Sequence, residues 1–97
     1  MRVEKTDEYR DWLNNLKDLA ARARILMRVD RLIHGNPGQH RNLTGGISEL
    51  KVDAGPGYRV YYTRRCARLL LLLAGGDKSS QSRDIAMAVR LARDYEG

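Results

Sequence analysis

"LLLLLAGGDKSSQ", residues 69–81, joins five leucines to two glycines, a charged pair and a serine pair. A short apolar run bounded by glycine reads as a strand buried on both faces, at the centre of a sheet. That strand is expected over residues 68–74. Gly75 and Gly76 then read as a sharp turn, because glycine accepts positive φ, and Ser79 or Ser80 as the cap of a last helix. The helix has its apolar stripe at Ile85, Ala88, Val89 and Ala92, with Met87 and Leu91 beside it.

Upstream of the leucines, "ISELKVD" alternates, with Ile47, Glu49, Lys51 and Asp53 on one side and Leu50 and Val52 on the other. "AGPG" at residues 54–57 is a turn by composition. "YRVYYT" alternates again, setting Tyr58, Val60 and Tyr62 against Arg59, Tyr61 and Thr63. "RRCA" turns the chain into the leucine strand, and a weak strand is expected near residues 39–43. The first third is helical. Thr6 caps a helix with Asp7 and Glu8 in its first turn and an apolar face at Trp12, Leu13 and Leu16. Asp18 restarts a second helix whose stripe is Leu19, Ala23, Leu26, Val29 and Ile33, widened by Ile25 and Leu32. "HGNPG" at residues 34–38 stops it with a glycine followed by proline. A short strand over residues 2–5 opens the chain.

The order β-αα-β-β-β-β-α makes this an α+β protein: a helical hairpin and a C-terminal helix packed on a mostly antiparallel sheet of four or five strands. The short turns of the meander put the helices on one face and leave the other free. At 97 residues one domain spanning 1–97 is expected.

Charge is distributed unevenly. The formal net charge is +6, and 14 of the 18 Lys and Arg residues are Arg, the side chain whose planar fork best fits phosphate oxygens. Between residues 41 and 68 six basic residues (Arg41, Lys51, Arg59, Arg64, Arg65, Arg68) face only Glu49 and Asp53. That excess points to a polyanionic partner, nucleic acid or an acidic protein. If the two alternating strands pair through the AGPG turn, Lys51, Arg59 and Tyr61 share one face, and Lys78 adds a further cation at the mouth of the last helix. A solvated face with charges for solubility is the plainer alternative.

Several chemistries are excluded. A P-loop needs glycines where Leu72 and Asp77 stand relative to Lys78. His34 and His40 lack partners at metal-ligand spacing, and one cysteine, Cys66, makes neither a zinc site nor an internal disulfide. No metal or cofactor is expected. The charged opening "MRVEKTDEYR" lacks the apolar core of a secretory signal, and no apolar run is long enough for a membrane span, so a cytoplasmic location is expected.

"WLNNLKDLAARARILMRVDRLIHGNPGQHR", "GGISELKVDAGPGYRVYY" and "LLLLLAGGDKSSQSRDIAMA" together resemble the RelE/ParE toxin superfamily, nearest to its HigB-like addiction module killer subgroup. The likeness covers residues 8–92. It implies a ribosome-dependent mRNA endoribonuclease that uses the 2′-hydroxyl as nucleophile. It also implies an antitoxin of helix-turn-helix type encoded by the adjacent gene, with operator DNA bound through the toxin–antitoxin complex. On that basis Lys51, Arg59 and Lys78 are the catalytic candidates, and Arg41, Tyr61 and Arg64 the RNA contacts. Two other readings share the fold: a ParE-like inhibitor of DNA gyrase, and an inactive toxin-like binding module. The additional Tyr or His of many such nucleases has only Tyr95 and His40 as counterparts here.

Overall fold

The computed structural model describes residues 2–95. Its elements are β1 (Arg2–Lys5), α1 (Asp7–Asn14), α2 (Leu19–Ile33), β2 (His40–Asn42), β3 (Ser48–Val52), β4 (Tyr58–Arg65), β5 (Leu69–Asp77) and α3 (Gln81–Asp94), with 3-10 turns at Thr44–Gly46 and Lys78–Ser80. The five strands form one sheet in the order β1-β5-β4-β3-β2. β1 runs parallel to β5 and the other neighbours are antiparallel. The α+β class and the element order are as expected; the leucine strand is interior, between β1 and β4, and the middle place is taken by β4.

Local chemistry explains the boundaries. The Thr6 hydroxyl accepts from the Tyr9 N–H (3.0 Å) and donates to the Leu73 carbonyl (2.5 Å), so one side chain caps α1 and ties it to β5. The Asp18 carboxylate accepts from the Ala21 N–H (3.1 Å) and starts α2. Gly35 ends that helix at φ 89°.

The sheet is covered on both faces, which corrects the expectation of one free face. On one side Tyr9, Leu13, Ala21, Ile25, Val29 and Leu32 pack over Leu50, Val52, Val60, Leu70 and Leu72. On the other, Ala88 and Ala92 of α3 pack over Ile47, Tyr61, Leu71 and Leu73. α3 packs mainly on β4 and β5 and reaches Glu49 of β3 through Gln81 in its first turn, so the β2–β3 end of that face stays open. α2 buries only part of the expected face. Val29, Ile25 and Leu32 are inside as expected, joined by Ala21, while Leu19 and Leu26 are exposed and Ala23 with them.

The two glycines of the leucine stretch are not a turn. β5 runs on to Asp77, and neither Gly75 nor Gly76 has positive φ. Glycine is required because helices press on the strand from both sides. A Cβ at Gly75 would lie 2.2 Å from the Trp12 ring, and one at Gly76 would lie 1.8 Å from the Asp84 carboxylate. Ser80 stands at the N-cap of α3, one of the two serines expected there, although its side chain makes no capping hydrogen bond. Asp77 caps the 3-10 turn before it, its carboxylate accepting from the Ser79 N–H (2.8 Å) and the Ser79 hydroxyl (2.5 Å). Ser80 donates instead to buried Asp84 (2.5 Å).

The Ser79 hydroxyl and backbone hydrogen bonds hold the Asp77 carboxyl below its ordinary value of 3.8. A depressed carboxyl pKa in the folded state stabilises above the ordinary value, and that contribution disappears as pH falls through the lower folded value. Asp77→Ala is therefore expected to cost about 1 kcal/mol at neutral pH. The difference from wild type should shrink in acid, which denaturant titrations at the two pH values will show.

Candidate nucleic-acid interface

The uncovered end of the α3 face holds a pocket of about 350 Å³, lined by Gln39, His40, Arg41, Glu49, Lys51, Arg59 and Gln81. Sheet register builds most of it. Lys51 is directly opposite Arg59 across β3 and β4, Glu49 is opposite Tyr61, and Arg41 of β2 is opposite Glu49. Residues directly opposite in an antiparallel pair share a face. Arg41, Glu49, Lys51, Arg59 and Tyr61 therefore rise from one side, opposite the core-facing Leu50, Val52 and Val60.

Glu49 is the organising group. It is buried, and three elements converge on it. Gln81 Nε2, at the start of α3, donates to Oε1 (2.7 Å). Arg59 Nε lies 3.5 Å from the same oxygen, and Arg41 Nη2 lies 3.2 Å from Oε2. Arg59 is itself buried, and its Nη1 donates to the Gly57 carbonyl (2.8 Å). Its Nε, although near the carboxylate, makes no hydrogen bond, leaving an unsatisfied donor on a residue that lines the pocket. Arg41 contrasts with it: its side chain is 60% exposed and free to leave the carboxylate for an incoming anion. Chemically, the arrangement is one buried carboxylate beside buried Arg59, with Arg41 and Lys51 at the mouth, suited to a phosphate and a proton-bearing hydroxyl.

Of the sequence-stated candidates, the pocket gathers Lys51, Arg59 and Arg41. Lys78 lies next door, in a groove with Ser79, Ser80, Ser82 and Arg83 that shares Gln81 with the pocket. Tyr61 is fully buried, so its ring offers no surface on which a base can stack. Burial, then the nearby Glu49 and Asp84 carboxylates, raise its phenol pKa well above the ordinary value of 10.0. Arg64 is exposed but starts from the opposite face, as its partner Leu70 belongs to the core under α1 and α2. His40 lines the mouth, yet it pairs with core-facing Leu50, and its Nδ1 lies 2.8 Å from the Gly38 carbonyl. Tyr95 lies beyond the far end of α3, beneath the Arg65 guanidinium (5.5 Å to the ring centroid). Arg65 donates to the Tyr95 carbonyl (3.0 Å) and to that of Ala92, closing the helix C-terminus.

Glu49 and Gln81 were not singled out as site residues from sequence. The one available signal was the position of Glu49 on the same side of its strand as Lys51.

Comparison with known proteins agrees with the extent of the fold. A protein of Haemophilus influenzae described as uncharacterized is 43% identical over 94 residues, which span 97% of this chain and 95% of that protein. Residues 11–94 match the family described as "Phage derived protein Gp49-like (DUF891)". With the match running from α1 to the last residue of α3, the chain belongs to the Gp49-like family of phage-derived proteins.

Proposed function

We propose that this chain is the toxin of a type II toxin–antitoxin pair, of the HigB-like kind within the RelE/ParE superfamily, and that it cuts mRNA on the ribosome. Membership of the Gp49-like family fits a toxin–antitoxin role. The observation that carries the nuclease reading is the convergence of Lys51, Arg59 and Arg41 on one open pocket around buried Glu49. An inhibitor acting only by protein contact has no need of that convergence.

In the proposed reaction Arg41 moves from Glu49 onto the scissile phosphate, and Arg59 stays fixed as a preorganised charge against the equatorial oxygens. Glu49, relieved of one guanidinium, takes the proton of the 2′-hydroxyl. The 2′-oxygen bonds to phosphorus, the bond from phosphorus to the 5′-oxygen breaks, and the leaving oxygen receives a proton from Lys51. The products are a 2′,3′-cyclic phosphate and a 5′-hydroxyl. Lys78, in the adjoining groove, holds a neighbouring phosphate of the same strand. The partners are accordingly the ribosome and its mRNA, a helix-turn-helix antitoxin, and operator DNA through that antitoxin.

Mapping mRNA 5′ ends after induced expression tests this. New ends inside translated frames are expected with wild type and are expected to be absent with Lys51→Ala. Intact translated mRNA alongside loss of gyrase supercoiling would replace the nuclease with a gyrase inhibitor.

A further inference from the structure

α2 carries two apolar stripes and the fold uses one. Ala21, Ile25, Val29 and Leu32 face the sheet. On the outer side Leu19 is 71% exposed, Leu26 46% and Met27 55%, and these are the large hydrophobic side chains that the described surface exposes. Ala23, also exposed, stands between them, so a backbone can approach closely at the middle of the stripe. The spacing 19, 23, 26, 27 puts all four on one side of the helix.

The border of this stripe is basic. Arg24, Arg28 and Arg31 line a groove with Ala20, Ala23 and Met27. The Arg28 guanidinium is committed to the protein itself, donating to the carbonyls of Lys51 (2.6 Å), Pro37 (3.0 Å) and Gln39 (3.2 Å). Burial, then repulsion from Arg31 and Arg24, lowers its pKa, so the three positive charges are crowded. Among the described residues neither Arg24 nor Arg31 has a carboxylate partner. The face thus combines apolar area with positive charge that no described carboxylate pairs with.

We propose that the outer face of α2 is the docking site for an acidic amphipathic helix of a partner protein. The identification of that protein as the antitoxin rests on the function proposed above. A helix with leucine-type anchors and flanking Asp or Glu covers Leu19, Leu26 and Met27 and brings carboxylates to Arg24 and Arg31. A second copy of this face would set arginine against arginine. A nucleic-acid backbone would neutralise the arginines but leave the three large apolar side chains wet. The α2 face lies on the opposite side of the sheet from the Glu49 pocket, so a helix seated there leaves the pocket mouth open.

The test uses the full chain and the purified product of the adjacent reading frame, titrated calorimetrically. Leu26→Asp/Met27→Asp is expected to weaken the complex at least ~30-fold. Arg24→Glu/Arg31→Glu is expected to weaken it ~10-fold or more and to flatten its salt dependence. Cys66→Ser, exposed at the β4–β5 turn, should bind as wild type does. Circular dichroism confirms that each variant is folded, and Leu26→Ala/Met27→Ala is the milder substitute if the aspartates unfold α2. Unchanged affinity in both α2 variants overturns the docking site and leaves the antitoxin reading standing. No complex with wild type overturns both. A single-stranded RNA oligonucleotide that loses affinity in the arginine variant, while the protein partner does not, reassigns the face to RNA and overturns the proposal.

Discussion

Arg59→Ala is expected to abolish detectable mRNA cleavage and to lower stability at the same time. The catalytic loss follows from removing a fixed charge aimed at the phosphate, worth ~10²–10³ in rate for one such donor. The stability loss follows from burial. Arg59 and Glu49 are both nearly solvent-free, with side chains 9% and 5% exposed, so truncating the arginine leaves the carboxylate short of a compensating charge. Removing one partner of a buried pair costs about 3 kcal/mol, moderated here because Arg41 and Gln81 still hold Glu49. A domain of this size has roughly 5–15 kcal/mol in reserve, so the variant stays mostly folded. Denaturant titrations run beside the cleavage assay separate the two effects. Cleavage is measured under conditions where the titrations show Arg59→Ala to be folded, and it should stay absent there. Full cleavage by the folded variant would show that Arg59 supports the fold alone.

Gly75→Ala is expected to be strongly destabilising. Its Cβ would meet three atoms of the Trp12 ring at 2.2–2.5 Å, well inside contact distance. The ring cannot simply step aside, because it packs against Tyr9 (centroids 6.1 Å apart) and edge-on to Tyr58 (6.3 Å). Relief requires α1 to lift from β5, at about 3 kcal/mol or more. Equilibrium unfolding followed by Trp12 fluorescence measures the loss, and Trp12→Leu in the same chain should return part of it. Gly35→Ala is the control. No atom lies within 4 Å of its Cβ, and only its φ of +89° opposes the change, at about 1 kcal/mol.

These glycines also show where sequence reading stops. Periodicity, caps and turn residues identified every helix and strand, because those signals act over a few neighbouring positions. The need for glycine at 75 is set by Trp12, far upstream, and at 76 by Asp84 of the following helix, and a glycine pair alone reads equally well as a turn. The first half of the α2 stripe failed for another reason. Leu19, Ala23 and Leu26 repeat at helical spacing as well as Ala21, Ile25 and Val29 do, and local pattern has no means of choosing which stripe meets the sheet. In the site, the pairing of Lys51 with Arg59 was readable from two alternating strands and a turn. Glu49 was not, since a carboxylate on a strand normally reads as facing water. Its burial depends on Gln81, 32 residues further along.

The parallel pairing of β1 with β5 has a consequence for synthesis. Arg2 is paired with Leu69 and Lys5 with Leu72, so the first strand made waits for nearly three-quarters of the chain before its neighbour exists. Glu49 likewise waits for Gln81, supplied by the last helix. Contacts this distant in sequence form late and slowly. A nascent or truncated chain therefore lacks both the leucine strand and the completed pocket, and any activity of this pocket arises only once the chain is almost whole.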